Sequence, residues 1–256
     1  MLWIYLEFLL LKKCKKENCI NQYKIKSLDG LIQFQMGDVS VAVKRRDVIG
    51  GILQEWFEKW LIENEIDFLP NPQINMPPDI FLDTDNSKTG WLEIKAFNFN
   101  DTPRFSFAEF RTFANELVER PYHLETDYLI FGYKMDEETG HVKIQDIWLK
   151  KIWEITKSMS TWPITVQFKN HVLHELRPCK WYSDRMTGRI FECVEDFLSA
   201  FEETVYQNPD TRHLSGLWKN DFRRAYKKHY GTDINFPRWE EIKNKYMPAP
   251  KTAIIS

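Results

Sequence analysis

The sequence predicts an α/β protein with a C-terminal elaboration. Three observations carry that expectation. A 17-residue amphipathic segment at 47–63 has apolar side chains at helical spacing. Short apolar runs follow, broken by turn-rich polar stretches, and among them 127–133 (DYLIFGY) is almost continuously apolar, as in a central strand covered on both faces. From about residue 194 onward, helical patterns dominate.

Leu2–Leu11 reads LWIYLEFLLL, too short to span a bilayer and interrupted by Glu7. It has no basic stretch before it and no small-residue cleavage site after it, so a first helix packed on the body is expected, with Lys12, Lys13, Lys15 and Lys16 as its solvated end. Residues 31–43 alternate apolar and polar around Met36-Gly37-Asp38, the pattern of a hairpin. In the 47–63 helix, Asp47 is the expected N-cap and Ile49, Ile52, Leu53, Trp56, Phe57, Trp60 and Leu61 form the apolar stripe. The proline-rich 69–78 must be extended. Asp79–Leu82 and Trp91–Lys95 then read as two strands joined through the polar turn Asp83–Gly90. A helix is expected over 105–119. Strand 127–133 should pair with 141–149 through the Glu137–Gly140 turn, short strands fall at 166–168 and 172–176, and helices at 194–206 and 214–230. The tail after Tyr246 reads as irregular.

Composition excludes several classes. Length (256 residues) suits one large domain or a domain with an extension, and the net charge of −2 means that a nucleic-acid enzyme of this sequence must sort its basic residues onto one face. Cys14, Cys19, Cys179 and Cys193 form no CxxC and no zinc-spaced set, so free thiols of a reducing cytoplasm are expected. There is no P-loop, no dinucleotide-binding glycine fingerprint and no Ser/His/Asp arrangement.

The segment that carries chemistry is 77–98, PPDIFLDTDNSKTGWLEIKAFN. Glu93 and Lys95 stand two apart on a strand and so project from one face, while Leu92, Ile94 and Ala96 face the core. A hairpin brings Asp79 beside Glu93. Phosphodiester hydrolysis asks for this set. Two carboxylates hold a hard cation such as Mg²⁺, which neutralises charge at phosphorus and acidifies a water. A neighbouring lysine orients that water or offsets developing charge. The Ile94 carbonyl is a further oxygen donor, and Glu55, at the edge of the 47–63 stripe, is the candidate helix carboxylate, with Gln54 as its neighbour. The bland alternative is a surface ion pair between Glu93 and Lys95 on an exposed strand, and a solvated glutamate at 55.

The stretch 167–189 is rich in groups that read G·C base edges or phosphates: Lys169, Asn170, Arg177, Lys180, Arg185 and Arg189, interleaved with Trp181 and Tyr182. A charged solvated loop is the competing reading. Arg223, Arg224, Lys227, Lys228 and His229 form a second basic group suited to phosphate contact or to a solvated helix face. His171 and His174 lack a third ligand for zinc.

Taken together, Gly51–Trp56 (GILQEW), Pro78-Asp79, Leu92–Asn98 (LEIKAFN), Tyr128–Tyr133 (YLIFGY) and Ile147–Trp153 (IWLKKIW) resemble the NgoBV/NlaIV family of type II restriction endonucleases, over about residues 25–210. The resemblance implies a PD-(D/E)xK restriction-endonuclease-like core, with a central mixed β-sheet flanked by helices. It also implies Mg²⁺ dependence and cleavage of double-stranded DNA at the palindrome 5′-GGNNCC-3′. Asp79, Glu93 and Lys95 take the catalytic positions, and a cognate DNA methyltransferase is expected in the same restriction-modification system. A palindromic site matches a two-fold homodimer. On this reading residues 1–24 are an N-terminal extension, 25–210 the endonuclease domain with its recognition segment near 165–190, and 211–256 a C-terminal helical extension. Two other readings stay open: a nuclease of repair or recombination with the same core and a structure-dependent substrate, and a catalytically silent DNA binder, against which the intact Asp79, Glu93 and Lys95 stand.

Overall fold

The computed structural model describes residues 28–73 and 76–247. The expectations for Leu2–Leu11, for Cys14 and Cys19, and for the tail from 248 lie outside the described residues. The chain divides into two units interleaved along the sequence: one built from residues up to Pro103 with Thr126–Lys150, the other from Arg104–Glu125 with the chain from Lys151 onward.

The first unit is a mixed sheet with a helix on it. Its strands are β1 (Asp29–Leu31), β4 (Leu69–Pro70), β5 (Ile80–Phe81), β6 (Trp91–Asn98), β7 (Asp127–Met135) and β8 (His141–Lys150). Their order is β1-β8-β7-β6-β5-β4. Only β6 and β7 run parallel, and the chain between them passes through Arg104–Glu125. β7 lies between β6 and β8 and is buried along most of its length, as its continuous apolar run requires. The ribbon β2 (Gln33–Met36) and β3 (Val39–Ala42) is a separate two-stranded sheet turning at Gly37-Asp38.

Helix α1 (Ile49–Glu63) buries Ile49, Leu53, Phe57 and Leu61, one stripe at i, i+4 spacing. The stripe joins a core with Ile80, Leu92, Ile94, Leu129 and Phe131. Trp56 and Phe57 meet the Phe131 ring edge-on, with centroids 6.3 and 6.1 Å away. Asp47 does not cap this helix. Residues Arg46–Val48 form a 3₁₀ turn, Val48 is the N-cap, and the Asp47 carboxylate is taken instead by the Arg45 guanidinium at 2.6 Å.

The second unit holds α2 (Phe110–Glu119), β9 (Val166–Lys169), β10 (Val172–Leu176), α3 (Val194–Gln207), α4 (Ser215–Tyr230) and α5 (Trp239–Tyr246). α2 begins five residues later than the pattern at 105–119 suggests. Phe107 N donates to the Leu176 carbonyl and Leu176 N to the Ala108 carbonyl, and Glu109 bridges Glu175 and then caps α2 by accepting from Arg111 N and Thr112 N. An aromatic core of Phe110, Phe113, Phe197, Phe201, Trp218 and Phe222 holds these helices together. The Trp218 indole donates to the Ala114 carbonyl at 2.8 Å. α5, which periodicity does not announce, is fixed by buried Trp239 and Tyr246. Cys179 is buried, and burial pushes its thiol up to about 12, the state of an inert structural cysteine.

Candidate active site

The hairpin β5–β6 builds the site. Ile80 pairs with Leu92 and Phe81 with Trp91 in antiparallel register. One step back along that register sets Asp79 opposite Glu93, and directly opposed residues share a face. The connection Asp83–Gly90 is held by the Asp83 carboxylate, which accepts from Asp85 N and Asn86 N at 3.1 Å and from the Thr89 hydroxyl at 2.5 Å. Gly90 closes it with φ +67, and Leu82 N donates to its carbonyl at 2.8 Å. The approach to Asp79 is gathered by Asn71, whose side-chain amide donates to the Met76 and Pro78 carbonyls at 2.8 Å and whose N–H donates to the Asp79 carbonyl at 3.1 Å. Asn71 escapes a sequence reading because it sits in a proline-rich stretch with no periodic pattern.

Three groups meet there. Lys95 Nζ lies 2.6 Å from Glu93 Oε1. Glu93 is 8% exposed, so this is no surface ion pair. Its second oxygen, Oε2, is buried and has no hydrogen-bond partner. Asp79 Oδ2 accepts from Ile94 N at 2.6 Å. Burial, and next the Glu93 charge, raise the Asp79 carboxyl to about 6 against the opposing Ile94 N–H and Lys95; Glu58 adds a further upward push. An anion cluster that resists its own ionisation, with one carboxylate oxygen left unpartnered inside the protein, fits a divalent cation. Among the described residues no three His, Cys, Asp or Glu side chains close into a metal cage.

The two helix acids differ in their surroundings. Glu55 is exposed, on the side of α1 away from Leu53 and Phe57. Glu58 is half-buried, accepts from Gln54 Nε2 at 3.1 Å, and is the helix acid felt by Asp79. Positions 55 and 58 flank the apolar stripe at about equal angles on a helix of roughly 3.6 residues per turn. Which flank meets the hairpin is settled by how α1 lies on the sheet, a tertiary fact with no local signal.

The candidate DNA contacts all fall in the second unit. Lys169 and Asn170 are exposed at the β9–β10 turn, where Asn170 and His171 both have positive φ. Arg185 and Arg189 are exposed, and Lys180 is half-buried. Trp181 is half-buried against Phe105 and Tyr182. Arg177 is tied to the Glu175 carboxylate and the Arg104 carbonyl, so its guanidinium serves the fold. In the basic helix, Arg223 donates to the Ile234 carbonyl at 3.0 Å and Lys227 pairs with Asp233 at 2.8 Å.

A mixed sheet that presents two acids and a lysine on adjoining strands is an arrangement suited to metal-assisted hydrolysis of a phosphodiester. The model of the NgoBV restriction endonuclease family matches residues 13–246. The chain is 49% identical to the type II restriction enzyme NlaIV of Neisseria lactamica over 231 residues, 90% of this chain and 95% of that one. It is 41% identical to the type II restriction enzyme NgoBV of Neisseria gonorrhoeae over 153 residues, 60% of this chain and 86% of that one. The solved structure of NlaIV restriction endonuclease superposes with a TM-score of 0.84 at 49% identity, covering 90% of this chain and 94% of the other. The chain belongs to the NgoBV restriction endonuclease family, and both of these relatives are type II restriction enzymes. Among the described residues no helix is long and apolar enough to cross a membrane.

Proposed function

We propose that this chain is a Mg²⁺-dependent type II restriction endonuclease, a homodimer that cuts both strands of duplex DNA at 5′-GGNNCC-3′. The observation that carries the reaction is the meeting of Asp79, Glu93 and Lys95 at one end of the β5–β6 hairpin, with Glu93 Oε2 buried and unpartnered. The site sequence rests on family resemblance.

In this reading Asp79 and Glu93 would hold the cation, the Ile94 carbonyl would add an oxygen, and Glu58, whose charge Asp79 feels, would be the helix carboxylate in place of the exposed Glu55. The cation, when bound, supplies positive charge at the phosphodiester and acidifies a water. Lys95 is held by Glu93, so its ammonium is fixed where it can orient the attacking water and offset charge that develops on the phosphate oxygens. Burial sharpens both effects by lowering the local dielectric. Lys169, Asn170, Lys180, Trp181, Arg185 and Arg189 are the proposed DNA contacts, with Lys and Arg suited to guanine O6 and N7. A cognate methyltransferase would protect the host's own sites.

Digestion of a plasmid of known sequence tests the assignment. Discrete fragments that map to GGNNCC in Mg²⁺ and vanish in EDTA are expected. Nicking confined to branched DNA would move the chain to repair chemistry, and tight binding with no cleavage in Mg²⁺ or Mn²⁺ would make it a silent binder.

A further inference from the structure

Among the described residues the β2–β3 ribbon is a two-stranded sheet apart from the main one, and seven of its eight strand residues are exposed. Its base is anchored: Val43 N donates to the Ile32 carbonyl at 2.8 Å, and the Ala42 methyl lies over Gly140 at the β7–β8 turn. Beyond the base the two strands pair only with each other. Phe34 opposes Val41 and Met36 opposes Val39, so these four side chains share one face. They are 53%, 51%, 69% and 66% exposed. Gln33, Gln35, Ser40 and Ala42 make the other face. A lone two-stranded ribbon is marginal in water, and an exposed apolar face of this kind marks an interaction surface.

We infer that this ribbon is where two copies of the chain meet. Three observations select a second copy as the occupant. The ribbon carries no Lys or Arg between Gln33 and Ala42, so it is not a phosphate-binding arm. Its open edges carry none of the charged or proline residues that normally guard an edge strand against pairing; Asp38 stands at the turn alone. It also belongs to the unit that carries Asp79, Glu93 and Lys95, and each chain supplies one such set, whereas two strands must be cut. An antiparallel edge is self-complementary about a two-fold axis: residue i of one copy meets j of the other, and j meets i. The last of these points rests on the reading of the chain as a nuclease that cuts both strands.

Sedimentation of the full-length chain tests the inference. The wild type should run at about twice its 30.8 kDa chain mass. Met36→Lys with Val39→Lys, at the two most exposed apolar positions of the ribbon, should raise the dimer dissociation constant by about 100-fold or more and leave the circular dichroism spectrum unchanged. On supercoiled plasmid this variant should accumulate nicked circles ahead of linear product. Gln35→Ala with Ser40→Ala, on the polar face, should leave the mass unchanged. If the lysine pair costs the fold, the near-isosteric Val39→Thr gives the same reading at smaller amplitude. A monomeric wild type, or a folded lysine variant with an unaltered dissociation constant, overturns the interface; in the latter case another part of the chain, such as the apolar run at 2–11, covers the ribbon. A dimer that cuts no DNA ends the proposed function and leaves the interface standing.

Discussion

Asp79 bears the electrostatic cost of the site. Its carboxyl stands at about 6 in the fold against 3.8 as a free side chain. An acid whose folded pKa is raised binds its proton more tightly in the native state. Its ionisation therefore destabilises the fold fully above pH 6, and the penalty fades as pH falls through that value towards 3.8. In metal-free protein Asp79→Asn, which keeps an oxygen for Ile94 N, should stabilise the fold at pH 8 by on the order of 1–2 kcal/mol. Denaturant melts should show that gain shrinking at pH 5; an equal gain at both values would mean that charge is not its source. The helix acids separate in the same way. Glu58→Ala should lower cleavage at limiting Mg²⁺ by about tenfold or more, whereas Glu55→Ala should stay within about twofold. A titration of rate against Mg²⁺ distinguishes them. Asp79, Glu93 and Lys95 were legible because a strand's period of two fixes which residues share a face. The nearness of Glu58 to Asp79 was not, because both flanks of an amphipathic helix look alike until it is docked.

At the scale of the element, the site depends on a hairpin whose strands pair through only two residue couples. Its precision therefore comes from its turn and its approach. A Cβ on Gly90 would lie 2.6 Å from Asp83 N, a backbone atom, and φ is +67 there. Gly90→Ala should cost about 1–3 kcal/mol in thermal unfolding and lower cleavage more than that loss of folded protein explains. A variant with wild-type melting would show that the turn can shift. Asn71→Ala, which frees the Met76 and Pro78 carbonyls, should reduce the cleavage rate by about tenfold while DNA affinity stays near wild type. The same scale shows where pattern reading succeeds and stops. α1, β7, β8 and the ribbon were visible because their periodicity is set by burial on a known side. α2 begins late because the backbone of 107–109 pairs with 175–176, and the Asp47 cap is lost to the Arg45 side chain, each a competition that the one-dimensional pattern does not hold.

At the scale of the molecule, Arg104–Glu125 folds with the C-terminal half although it interrupts the sheet between β6 and β7. No proline- or glycine-rich linker marks either boundary, so composition is silent on it. The core of the second unit is aromatic, with Phe110, Phe113, Phe197 and Phe201 packed ring against ring. The charge of −2 leaves any DNA attraction to local patches; Arg177 in the proposed recognition segment and Arg223 and Lys227 in α4 are tied into the fold, whereas Arg185 and Arg189 are exposed. Mg²⁺ binding only to the native state should raise the melting temperature of the wild type and leave that of Glu93→Ala unmoved, as a thermal scan at rising Mg²⁺ would show.

The most direct test of the central claim is the single-turnover cleavage rate of one duplex carrying a single GGNNCC site, measured for wild type and Lys95→Ala in Mg²⁺ and in EDTA. The account predicts cleavage by the wild type in Mg²⁺ alone, and a loss of about 10²–10³-fold or more in Lys95→Ala with duplex binding retained. Full-rate cleavage by Lys95→Ala, or wild-type cleavage that persists in EDTA, would place the chemistry somewhere other than Asp79, Glu93 and Lys95.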